Sequence, residues 1–180
     1  MKKIFLIIAF LLVFPKMNAQ VLSFTKVLPF EGKSAEDLYH YSKNWIATTF
    51  RSPSKVIQID DAEKYYISCS GAKEYSMGKL QYACYGGWIN YTIIMQARDG
   101  RIKVEFTNFT HTNKAGNAQA CNLGLLTTDD NQFSSAGMYA KYHKKVKSDI
   151  LSKIEPFVES MFLSIETSID NASSVESEDW

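Results

Sequence analysis

The sequence predicts an α+β domain. It reads as an antiparallel sheet of about five strands in β-α-β-β-β-β-α order, with a helix in the first half of the chain and a long C-terminal helix on one face. Three observations carry this. Asp99-Gly100 lies between two alternating apolar runs, IIMQA and IKVEF, the strongest short-range hairpin signal. Apolar residues recur at helical spacing from Leu38 to Phe50 and again from Tyr139 to Ile169. The segments between are rich in β-branched and aromatic residues bounded by turn formers.

The hairpin fixes a register. With Asp99 and Gly100 as a two-residue type I′ loop, both at positive φ, Ala97 opposes Ile102, Met95 opposes Val104 and Ile93 opposes Phe106. The other face pairs Gln96 with Lys103, Ile94 with Glu105 and Thr92 with Thr107, so a slip of one residue would bury charge. One face is therefore buried and needs a cover of helices.

Taken in order, Val21–Pro29 alternates weakly, with Leu22, Phe24 and Lys26 on one side, and reads as the first strand. Ser34 and Asp37 form a capping box for a helix whose apolar stripe is Leu38, Tyr41, Trp45, Ile46, Thr49 and Phe50, and which stops near Ser52-Pro53. Lys55–Asp60 and Glu63–Gly71 read as a second hairpin. Residues 71–87 are either a loop or an irregular edge strand. Asn113–Gly137, rich in Asn, Gly, Ser and Thr, reads as a long connection anchored by Leu123, Leu125 and Leu126. Tyr139, Tyr142, Val146, Ile150, Ile154, Phe157, Met161, Ile165 and Ile169 then define one long helix, kinked at Pro156 because the stripe keeps its phase across the proline. Residues 171–180 read as a flexible acidic tail.

Composition is that of an ordinary globular protein, 46% hydrophobic and 22% charged. Lys2-Lys3 precedes an apolar run from Ile4 to Phe14, too short to span a bilayer, followed by Pro15 and a small residue at Ala19. This order predicts a secretory signal peptide over residues 1–19 and a single domain over 20–170, periplasmic or extracellular, without a membrane span. Removing Lys2, Lys3 and Lys16 leaves 17 basic against 19 acidic residues. A chain so balanced lacks the basic cluster that phosphate neutralisation requires, and nucleic acid is excluded as a partner. The densest basic run, Lys141, Lys144, Lys145 and Lys147, reads as a solvated helix face.

The stretches FEGKSAEDLYHYSKNWIATTF (Phe30–Phe50), KVIQIDD (Lys55–Asp61) and YTIIMQARDGRIKVEFTNF (Tyr91–Phe109) resemble a family of secreted bacterial proteins known as domain of unknown function 4468, described as having a TATA-binding-protein-like fold. The resemblance implies a curved antiparallel sheet with helices on one face. It implies no activity, and fold alone does not imply DNA binding.

No catalytic motif is present, no metal-ligand spacing and no cofactor signature. His40, His111 and His143 are isolated, Asp60-Asp61 and Asp129-Asp130 fall in turns, and Asn90 and Asn108 head glycosylation sequons inside predicted strands. Of Cys69, Cys84 and Cys121, the nearest pair, Cys69 with Cys84, is the candidate disulfide; the alternative is that Cys69 is a small buried hydrophobe. Tyr75, Tyr82, Tyr85, Trp88 and Tyr91 crowd around Gly86-Gly87. They either pack a sheet edge and the underside of a loop, or present Tyr82, Tyr85 and Trp88 as a patch for an envelope protein or glycan. The expectation is an exported non-catalytic binding or accessory domain of the bacterial envelope. The alternatives are a carrier of a small apolar ligand held between sheet and last helix, and a small hydrolase assembled from distant residues.

Overall fold

In the computed structural model, residues 20–114, 116 and 118–177 are described; residues 1–19, over which a signal peptide is expected, and residues 115, 117 and 178–180 lie outside them. β1 (Phe24–Pro29) leads into α1 (Ala35–Thr49), a short α2 (Pro53–Val56), β2 (Ile57–Asp61), β3 (Tyr66–Tyr75), β4 (Gly87–Arg98), β5 (Arg101–Asn113), a two-residue β6 (Gly124–Leu125) and α3 (Ala140–Ser177). The strands form one antiparallel sheet ordered β1-β5-β4-β3-β2, and β6 pairs with β5 beyond the end of β1.

All six hairpin pairs predicted from Asp99-Gly100 are present, from Ala97 against Ile102 to Thr92 against Thr107. The turn differs from the expected one. Gly100 takes φ +74 but Asp99 does not enter the positive-φ region, because tertiary bonds hold the loop. The Asp99 carboxylate accepts the Ala35 N–H at 2.9 Å, capping α1 from a distance, and the Gly100 N–H bonds the Lys33 carbonyl at 2.9 Å. Ser34 caps the same helix, its Oγ accepting the Asp37 N–H at 3.1 Å and donating to the Asp37 carboxylate at 2.6 Å.

Beyond Thr92 the register shifts by one, so that Asn90 faces Thr110 and Ile89 faces His111. The extra residue on β5 is absorbed at Asn108, which adopts φ +56, a conformation asparagine tolerates better than most residues. Phe106 and Phe109, an odd number of residues apart, thereby both point inward and are fully buried. Without the bulge, strict alternation would bury Asn108 and expose Phe109.

Pro53 does not simply end the first helix. It opens the single turn α2, where a missing N–H leaves no bond unmade, and β2 starts at Ile57 rather than Lys55. Residues 71–87 divide into the end of β3, a 3₁₀ turn at Leu80–Tyr85 and the start of β4.

α1 and α3 cover the inner face, tied by the Trp45 indole N–H donating to Ser164 at 3.1 Å. The helix is continuous through Pro156 and runs to Ser177, so the tail expected from residue 171 is helical as far as it is described. Its buried stripe is Val146, Ile150, Ile154, Val158, Phe162, Ile165 and Ile169. Phe157 and Met161 flank the stripe; period alone does not choose between adjacent apolar residues. Lys147 departs from the solvated face assigned to it. It is buried, and its ammonium donates to the Asp129 carbonyl at 2.6 Å. Of the expected anchors in the connection, Leu123 and Leu126 are buried and Leu125 faces solvent.

Candidate functional site

Along the inner face of β3 the residues are Ile67, Cys69, Gly71, Lys73 and Tyr75, set against Met95, Ile93, Tyr91, Ile89 and Gly87 of β4. The two middle positions contribute no apolar bulk. A Cβ on Gly71 would lie 2.4 Å from the Tyr91 ring, so that ring occupies the space the glycine vacates. Lys73 sends its ammonium 4.6 Å over the Phe157 ring of α3 instead of filling the interior. Beside Lys73 lies a cavity of about 120 Å³ between sheet and helix, walled by buried Ile89, Tyr91, Phe109, Ile150 and Ile154, with Phe157 half-buried.

The exposed rim carries the charges of Lys73, Glu74 and Lys153, with Ser76 beside them. Lys153 bonds the Asp149 carboxylate and the Ser76 carbonyl, each at 2.8 Å, and lies 5.1 Å over the Tyr75 ring. The Tyr75 hydroxyl donates to the same carboxylate at 2.8 Å, and burial, then the hydrogen bond to Asp149, push its pKa upward. Burial likewise raises the Tyr91 hydroxyl to about 12, so both phenols stay neutral. Glu74 pairs with Lys114 at 2.9 Å. Chemically, the site offers an apolar pocket with a positive, hydrogen-bonding lip.

The disulfide expectation is corrected. Cys84 is bonded to Cys121, with Cα atoms 5.8 Å apart, and Cys69 is a free, buried thiol pushed up to about 12 by burial. From Cys69 the chain runs to the far end of β3, about 20 Å of extended strand, before reaching the turn that holds Cys84. The connection returns Cys121 to that turn. Two histidines reinforce the same junction. His111 Nδ1 accepts the Leu123 N–H at 3.2 Å, so its proton sits on Nε2 and is donated to the Tyr85 carbonyl at 2.8 Å. His143 Nε2 donates to the Ala120 carbonyl at 2.8 Å.

Tyr82, Tyr85 and Trp88 do not form one patch. Tyr85 is 2% exposed, Tyr82 packs half-buried against Tyr85 and Tyr142, and Trp88 is 44% exposed on the outer sheet face between Glu74 and Thr112. β4 begins at Gly87, so alternation turns Trp88 outward, whereas Tyr85 belongs to the preceding turn. Sequence reasoning named neither Lys73 nor Lys153. The signal for Lys73 was its inward parity with Ile67, Cys69 and Tyr75. Among the described residues no group of three His, Cys, Asp or Glu is placed to hold a metal, and no helix is long and apolar enough to cross a membrane.

Residues 24–112 match the model of a family described as a domain of unknown function (DUF4468) with TBP-like fold. No curated protein matches. Among solved structures, a TBP-like protein from Parabacteroides distasonis aligns at a TM-score of 0.58 and 14% identity, over 84% of this chain and 94% of that one. A DUF4468 family protein from Bacteroides ovatus aligns at 0.52 and 15%, over 83% and 86%. These likenesses concern the fold. From the first strand to the end of the central hairpin, the chain therefore carries a DUF4468 domain with the TBP-like fold.

Proposed function

We propose that this is an exported, non-catalytic binding domain that takes a small apolar group into the cavity between β3–β5 and α3. The observation that carries the reading is the cavity itself: about 120 Å³ with buried apolar walls, against the about 150 Å³ in which an apolar engineered cavity holds benzene. Export is supported by the Lys2-Lys3 and Ile4–Phe14 signal and by the Cys84–Cys121 bond, since disulfides persist in oxidising compartments such as the periplasm. The absence of catalysis is supported by the histidines. His40 faces solvent, His111 has both nitrogens bonded to backbone, and His143 is buried among aromatic rings with Nε2 on the Ala120 carbonyl.

The test is uptake of toluene by the mature protein, followed by ligand-observed NMR. Wild type is expected to bind, and Ile89→Phe, which fills the cavity from the sheet side, is expected not to. Absence of binding, or equal binding by the variant, would overturn the reading. A second reading, contact with an envelope protein or glycan, rests on exposed Trp88. It predicts a partner captured from envelope extract by wild type and lost with Trp88→Ala.

A further inference from the structure

Resting on the reading of the cavity as a binding site, we infer that its ligand is a small organic monocarboxylate, its compact apolar body inside and its carboxylate at the mouth against Lys73. The charges around the rim cancel in pairs, Lys153 with Asp149 and Lys114 with Glu74. Among the described residues Lys73 makes no ion pair and is left as one uncompensated positive charge. Its register position, opposite Ile89, points the stem inward, so the aliphatic carbons lie along the opening while the head stays in water. The Phe157 ring, 4.6 Å from the ammonium, holds that head over the mouth.

One surplus positive charge matches an anion of charge −1. A phosphate monoester, at roughly −1.5 to −2 near neutral pH, would be repelled more strongly by the Asp149 and Glu74 carboxylates at the same rim. Size limits the apolar part. A cavity of about 120 Å³ accepts a single ring or a short branched chain and excludes a long acyl chain.

The experiment is calorimetric titration with benzoate, its neutral isostere benzamide, and phenyl phosphate. Benzoate is expected to bind about fivefold more tightly than benzamide, the upper range for an ion pair exposed to water. That preference should vanish in Lys73→Met, persist in Lys73→Arg and shrink in about 1 M salt. Lys73 is exposed, so the methionine variant leaves the core intact. Equal affinity for benzoate and benzamide would overturn the carboxylate and leave the cavity standing. A preference surviving in Lys73→Met would overturn the role of that residue, and tighter binding of phenyl phosphate would overturn the monoanion. If neither ring binds, the cavity reading falls and this one with it.

Discussion

Removing the Cys84–Cys121 bond, by the double substitution Cys84→Ser and Cys121→Ser, releases a link across 37 residues. In the chain-entropy account, a loop of that length restricts the unfolded chain by about 4 kcal/mol at 25 °C. The folded state loses little, because Leu123, His111 and Tyr85 still bridge the two turns through the imidazole, and His143 still holds the Ala120 carbonyl. The full loop term should therefore appear as lost stability, a quarter or more of what a domain ordinarily has. The assay is urea unfolding of the oxidised protein and the double variant, read by near-ultraviolet circular dichroism. The midpoint should fall and the slope rise, since the unlinked chain exposes more surface when unfolded. A loss below about 1 kcal/mol would refute the reasoning. So would a non-reducing peptide map that found Cys69 in a disulfide; its thiol, buried and raised to about 12, should be alkylated only on unfolding.

Three further outcomes follow from the geometry. Burial lowers the His111 pKa from the usual 6.5, against the opposing bond to the Tyr85 carbonyl. The folded state thus holds fewer protons than the unfolded one, so stability is complete above about pH 6.5 and falls with decreasing pH toward the lowered value, by at most about 1.4 kcal/mol per pH unit. Urea midpoints at pH 7.5 and 5 should diverge less in His111→Gln than in wild type. At the bulge, Asn108→Gly should leave stability unchanged or improved and Asn108→Ile should cost about 1–2 kcal/mol, measured by the same unfolding curves; equal stabilities would show that φ +56 is not what asparagine secures there. Gly71→Ala places a methyl 2.4 Å from the Tyr91 ring, a wall of the cavity that must then shift. Toluene uptake should drop with only a modest fall in thermal midpoint, whereas unchanged uptake would separate the glycine from the cavity.

The central hairpin was legible because alternation and Asp99-Gly100 are local signals that agree, and each of its six forecast pairs formed. The continuity of the last helix was legible for the same reason, its apolar period persisting through Pro156. What escaped the sequence depends on contacts distant in the chain. Asp99 escaped the positive φ of a type I′ turn because Ala35 and Lys33, more than sixty residues earlier, bond to the loop. The bulge at Asn108 was hidden because Asn108 and Phe109 are alternatives that only burial against α3 and the β4 aromatics decides. Cys84 appeared closer to Cys69 by counting residues, but strand extension carries the two apart and a long connection brings Cys121 back. The walls of the candidate cavity were legible as apolar stripes. Its emptiness was not, because it depends on Lys73 turning out to Phe157, a contact distant in the chain.

That origin bears on which side of the sheet carries function. With α1 and α3 on the inner face the outer face of this sheet is open, and nucleic-acid binding there would require several lysines or arginines in reach of successive phosphates. The central outward positions are instead Ser70, Asn90, Thr92, Thr107 and Thr110, and Lys103 lies 3.7 Å from Glu105. Hydroxyls and amides already engage one another across these strands, with Asn90 donating to Thr112 at 3.0 Å and Asn108 to Thr92 at 3.4 Å. The middle of such a face is uncharged and largely satisfied, and its cations, Arg98, Arg101 and Lys103, gather at the hairpin end instead of following a line of successive phosphates. The covered face is different. There an unpaired ammonium stands over a space that the surrounding core has not closed, although one larger side chain at position 89 would fill it. Filling that space would give back dispersion contacts that a cavity forfeits, so a chain that leaves it open is less stable than it has the means to be. The covered face, beneath the last helix, is accordingly where a ligand has energy to gain.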